Sequence, residues 1–124
     1  MHHILVIDDE QIFLGFLGQT LTLMGYRVKT ANSGEGAIEI LRDDHDFDLV
    51  DHDFDLVITD IVMPNIDGNA VAEYIRSSNR ADTPIVAITG HSEIDNKELF
   101  NSILVKPFKI KELIAVIKSL IKNT

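Results

Sequence analysis

Four places in the 124-residue chain set acidic, hydroxyl or cationic side chains directly after short apolar runs. Asp8 and Asp9 follow His3-Ile4-Leu5-Val6-Ile7, and Asp60 follows Phe54-Asp55-Leu56-Val57-Ile58-Thr59. Thr89 follows Pro84-Ile85-Val86-Ala87-Ile88, and Lys106 follows Ile103-Leu104-Val105. If these runs are neighbouring strands, three carboxylates, one hydroxyl and one ammonium meet at one sheet edge. At ~4 Å and an effective dielectric near 20, each carboxylate pair repels by about 4 kcal/mol. A hard divalent cation relieves this. Mg²⁺ (or Mn²⁺) suits two or three carboxylates that leave room for waters and a phosphoryl ligand. A metal, an ammonium and a hydroxyl around one carboxylate are what an aspartyl-phosphate requires: a nucleophile, and stabilisers for three phosphoryl oxygens.

The elements that must position these groups follow from the apolar spacing. The runs before Asp8, Asp60, Thr89 and Lys106 read as strands buried on both faces, as in parallel sheets. Residues 26–31 alternate like a strand with one more polar face. Between the strands lie helical patterns. The first is expected to bury Ile12, Phe13, Phe16, Leu17, Thr20, Leu21 and Met24, and to end at Gly25 as a C′ glycine. Ser33 caps a second helix carrying Ala37, Ile38 and Leu41 inward. A third helix is expected over residues 67–78, with Val71, Ala72 and Ile75 inward. A short helix is expected over 92–100. The last is expected over 109–122, burying Ile110, Leu113, Ile114, Ile117, Leu120 and Ile121. Five β–α units and no linker predict an α/β fold, a doubly wound five-stranded parallel sheet with helices on both faces. Such sheets carry their sites at the carboxyl ends of the strands.

Composition narrows the function. A net charge of −9 repels phosphate backbones, which argues against direct nucleic-acid binding. No apolar run is long enough to span a membrane, and the start lacks the features of a signal peptide. With no cysteine, thiolate metal sites and a Cys nucleophile are excluded. A cytoplasmic location is expected. The five histidines (His2, His3, His45, His52, His91) do not form a ligand set by spacing. Gly15 and Gly18 fall inside the first helix, where close packing is expected rather than a phosphate loop.

Asp8-Asp9, Asp60-Ile61-Val62-Met63-Pro64, Asp67-Gly68, Ala87-Ile88-Thr89-Gly90 and Lys106-Pro107-Phe108 together resemble the receiver domain of bacterial response regulators, over the whole chain (1–124). The resemblance implies a flavodoxin-like fold and a phosphoacceptor at Asp60. It implies Mg²⁺ bound directly by Asp9 and Asp60, through water by Asp8, and by the backbone carbonyl of Val62. Thr89 and Lys106 would contact the phosphoryl group, and Lys106–Pro107 would be cis. The implied partners are a histidine kinase or phosphotransfer protein and a downstream effector. The implied role is a signalling domain that assists its own phosphorylation and dephosphorylation rather than a turnover enzyme.

The chain departs from the family pattern in places. Ile103 stands where the family often carries an aromatic switch residue. The span from Thr89 to Lys106 is short, which truncates the fourth helix. Val62 and His91 occupy positions that tune dephosphorylation. An apolar Val62 cannot position an attacking water, so a long-lived phosphoryl group is expected.

Residues 44–50 and 51–57 are one heptapeptide, Asp-His-Asp-Phe-Asp-Leu-Val, written twice. If the first copy formed the strand, Asp51 would replace Ile58 in the core and Asp53 would replace Asp60. Burying that unpaired carboxylate costs several kcal/mol or forces protonation. The second copy should therefore deliver Asp60. The first should be a surplus, mostly irregular excursion between the second helix and the third strand, able to add to a neighbouring molecule as a weak homodimer contact. Two other readings differ in class. Leu49-Val50-Asp51-His52-Asp53 resembles the first motif of haloacid-dehalogenase-type phosphatases, a Mg-dependent aspartyl-phosphate chemistry with turnover. A pseudo-receiver would bind partners without phosphorylation.

Overall fold

The computed structural model describes residues 2–42, 53–90, 94 and 96–121. Five strands, β1 (His3–Ile7), β2 (Arg27–Ala31), β3 (Leu56–Asp60), β4 (Ile85–Thr89) and β5 (Ser102–Val105), form one sheet. Its order is β2-β1-β3-β4-β5 and every pairing is parallel. Among the described residues, four α-helices cover it: α1 (Gln11–Leu23), α2 (Gly34–Leu41), α3 (Gly68–Arg76) and α4 (Ile110–Leu120). The order reverses direction beside β1, so the carboxyl ends of β1 and β3 flank a switch point, where such folds place their sites.

The sheet is buried on both faces because side chains alternate along each strand. Ile4, Val6, Leu56, Ile58, Val86 and Ile88 pack under α1 and α4 through Leu14, Leu17, Leu21, Leu113 and Ile117. Leu5, Ile7, Val57, Ile85 and Ala87 pack under α2 and α3 through Ala37, Leu41, Val71, Ala72 and Ile75. The central strands β1, β3 and β4 are buried along their whole length, which explains their largely apolar character. No helix among the described residues is long and apolar enough to cross a membrane.

Local signals set the helix ends. Ser33 Oγ accepts from the Gly36 N–H (2.9 Å), and Asp67 Oδ1 accepts from the Ala70 N–H (2.9 Å). Gly25 has φ 100°, and the Gly25 and Tyr26 N–H groups bond the Thr22 and Leu21 carbonyls, a Schellman ending for α1.

The structure corrects three expectations. The buried face of α1 is Leu14, Leu17 and Leu21. Ile12 and Leu23 are 88% and 83% exposed, and Phe16 and Met24 are also exposed. Apolar residues encircle α1, so periodicity alone could not choose the face that meets the sheet. In place of a helix over 92–100, the described residues hold a 3₁₀ turn at Lys97–Leu99. That one turn is what the described part of the crossover shows; residues 91–93 and 95 lie outside the described residues. At Gly15 an added side chain would meet open space, and at Gly18 an added Cβ would make only ordinary contacts of 3.4 and 3.9 Å with Thr30 and Val28, so close packing requires neither glycine. Smaller shifts trim α3 and α4 at both ends, and of the residues expected inward on α4 only Leu113, Ile117 and Ile121 are buried.

The second heptad copy is the one in the sheet. Leu56 and Val57 pair with Ile4 and Leu5, and the strand runs on to Asp60. Asp53 sits before the opposite end of β3, 3.2 Å from the Arg80 guanidinium. The first copy, 44–50, and its predicted excursion lie outside the described residues.

Candidate functional site

β1, β3, β4 and β5 bring Asp8, Asp9, Asp60, Thr89 and Lys106 to one edge. Carboxylate oxygens of Asp8, Asp9 and Asp60 lie within 4.8 Å of one another. Lys106 Nζ is 3.8 Å from Asp60 Oδ2 and 4.0 Å from Asp8 Oδ2. Thr89 is buried at the end of β4, paired in register with Val105. Its carbonyl accepts the Lys106 N–H at 2.7 Å, which ties the lysine to the strand beside it. Asp8, Asp9, Asp60 and Lys106 therefore come together, with Thr89 at the end of the strand beside β3. His91 lies outside the described residues.

The electrostatics leave the acidic trio under-neutralised. Asp8 is buried, and burial pushes its carboxyl up to about 6, with Asp60 and Asp9 adding repulsion. The Glu10 N–H, donating to Asp8 Oδ1 at 2.9 Å, and Lys106 offset only part of this. Burial also raises Asp60, against the Lys106 charge and the N–H of Ile61, which donates to Oδ1 at 2.8 Å. One ammonium facing three clustered carboxylates leaves a site that favours a further cation. The donor set is all oxygen, as a hard divalent ion prefers. The residues thus fit a Mg²⁺-class ion.

The loop after β3 holds Asp60 in place. Gly68 opens α3 against the Asp60 carbonyl, and a Cβ there would lie 2.9 Å from the Ile61 Cα and closer still to that carbonyl oxygen. The Gly68 N–H bonds the Ile61 carbonyl at 2.8 Å. Asn65 takes φ 67°, which Asn tolerates better than most residues. The Val62 side chain is 62% exposed, pointing no polar group at the site. Lys106–Pro107 is cis, as expected.

Two features escape a strand-end reading. Phe13, in the first turn of α1, places its ring 4.9 Å from Lys106 Nζ, and Phe108 meets that ring edge-on. Far from the site, the Arg76 guanidinium donates to the carbonyls of Ala81, Thr83 and Leu99 and to Asn101 Oδ1, clamping α3 to the start of β5. Neither has a local sequence signature, because both are made by residues brought together only by the fold.

Comparison with known proteins agrees with this fold. Residues 4–118 match the response regulator receiver domain. A probable transcriptional regulator of Cyanidium caldarium, ycf27, is 36% identical over 98% of this chain and 47% of its own length. Response regulator MprA of Mycobacterium leprae is 31% identical over 98% of this chain and 51% of its own. The chain spans about half the length of the curated relatives it matches. Among solved structures, the response regulator protein TrrA of Thermotoga maritima, in complex with Mg²⁺–BeF, has a TM-score of 0.81 and 33% identity, covering 97% of this chain and 99% of that one. TrrA in complex with the histidine kinase ThkA matches with 34% identity and the same TM-score, covering 98% of this chain and 100% of that one. The chain therefore belongs to the response regulator receiver domain family of two-component signal transduction.

Proposed function

We propose that residues 1–124 act as one receiver domain that takes a phosphoryl group onto Asp60 from a histidine kinase, a phosphotransfer protein or a small phosphodonor, and then changes its protein contacts. The observation that carries this is Asp60 itself, inside a 4.8 Å carboxylate cluster and 3.8 Å from Lys106. Asp9 and Asp60 would hold Mg²⁺ (or Mn²⁺) directly, Asp8 through water, and Val62 by its backbone carbonyl. A bound divalent ion would neutralise the phosphoryl oxygens. One Asp60 oxygen is fixed by the Ile61 N–H. The carboxylate attacks phosphorus, the bond to the leaving group breaks, and an acyl phosphate forms on Asp60. Lys106 and Thr89 stabilise the oxygens on the remaining sides.

The exposed stripe of α1 starts at Ile12, three residues past Asp9, and runs along the helix through Phe16 to Leu23, offering the donor an apolar face whose near end adjoins the site. TrrA, solved with a histidine kinase, supports this class of partner. Such a donor places the domain in the cytoplasm, with an effector protein or domain downstream.

The domain is modified once per donor and assists its own phosphorylation and dephosphorylation, rather than turning over phosphoesters. The position of Asp53 at the far end of β3 disfavours the phosphatase alternative, and the complete acid–lysine set disfavours a pseudo-receiver. Incubation with a small phosphodonor tests the reading: one phosphoryl group per chain supports it, whereas sustained turnover of phosphoesters contradicts it.

A further inference from the structure

We infer that Phe13 is a positioning residue for Lys106: its ring face holds the ammonium over the acidic cluster in the orientation phosphoryl transfer needs. This rests on the reading of Asp60 as phosphoacceptor. Lysine ends in a flexible four-carbon stem, and its ammonium has no preferred fork geometry. Its separations from Asp60 and Asp8, 3.8 and 4.0 Å, are those of ion pairs rather than of aligned hydrogen bonds. The carboxylates attract Lys106 without fixing where it sits. The Phe13 ring lies 4.9 Å from Nζ, inside the ~6 Å range of cation–π attraction. The ring is itself held: Phe108 meets it at 6.2 Å and 80°, an edge-to-face pair. Phe13 and Phe108 both pack against the core under α1 and α4. The brace therefore joins the first turn of α1 to the segment just past Lys106.

The experiment measures the rate of Asp60 phosphorylation by acetyl phosphate at fixed Mg²⁺, by intact mass, with thermal unfolding of each variant alongside. Phe13→Leu should slow the reaction about three- to tenfold. Phe13→Tyr, which keeps a ring, should lose less. The same Phe13→Leu change in a Lys106→Gln background should cost no further rate. Replacing Phe13 with mono-, di- and trifluorophenylalanine weakens the ring face at nearly constant shape, so the rate should fall stepwise. Equal losses with and without Lys106, or a rate flat across the fluorinated series, would overturn the assignment and leave Phe13 a packing residue. The fluorinated series decides the matter even if Phe13→Leu fails to fold. No adduct in the unaltered protein overturns the reading of Asp60, and the role of Phe13 with it.

Discussion

Lys106 Nζ stands 3.8 Å from Asp60 Oδ2, on the end of a strand that is not the neighbour of β3. The side chain reaches across the end of β4 to do so. It supplies the one cation among the described residues within 4.0 Å of this cluster, and it only partly offsets the burial that raises the Asp60 carboxyl. Lys106→Gln keeps a polar side chain of similar length and removes the charge. Phosphorylation of Asp60 by acetyl phosphate should slow by roughly 100-fold, the scale of losing one preorganised oxyanion stabiliser. Stopped time courses read by mass would check this, and an unchanged rate would remove Lys106 from the reaction.

Asp8 makes a pH prediction. Its folded value, about 6, lies above the unfolded 3.8, so the folded chain binds this proton more tightly. The destabilisation is absent below about 3.8, grows between 3.8 and 6, and is complete above 6. Without metal, Asp8→Asn should therefore be more stable than the unaltered protein at pH 7.5, by roughly 2–3 kcal/mol. The gap should close toward pH 4. Urea unfolding at several pH values reads the difference. Mg²⁺ at pH 7.5 should stabilise the unaltered protein and do much less for Asp8→Asn.

Gly68→Ala tests the seating of Asp60. The added Cβ meets backbone, the Asp60 carbonyl and Ile61 Cα, which cannot swing away as a side chain could. A loss of roughly 1–3 kcal/mol is expected. Chemical denaturation measures it, and a variant as stable as the parent would mean that the β3–α3 loop shifts freely.

Val62 makes a prediction about lifetime. Its side chain is 62% exposed and apolar, so it cannot orient a water toward Asp60. Val62→Asn should shorten the life of the phosphorylated state. The decay of the adduct, followed by mass after the donor is removed, checks this; equal or slower decay counts against it.

Much of the site could be read from the chain because its chemistry sits at strand ends. β1, β3 and β4 are buried on both faces, so they appear as largely apolar runs, and Asp8, Asp60 and Thr89 end or directly follow them. The heptad repeat was resolved the same way: only the second copy puts Ile58 rather than a carboxylate in the core. The buried face of α1 was not fully legible. Ile12, Phe16 and Leu23 on one side compete with Leu14, Leu17 and Leu21 on the other, and only the sheet decides between them. The Phe13–Lys106 contact and the Arg76 clamp join residues far apart in sequence, so no local pattern announces them.

The central claim is that Asp60 takes the phosphoryl group with a divalent ion present. Intact mass after incubation with acetyl phosphate and Mg²⁺ tests it most directly. The account predicts one adduct of about 80 Da per chain, lost on chelation of the metal beforehand and absent in Asp60→Asn. An adduct of the same size and amount in Asp60→Asn, or none in the unaltered protein, would contradict it.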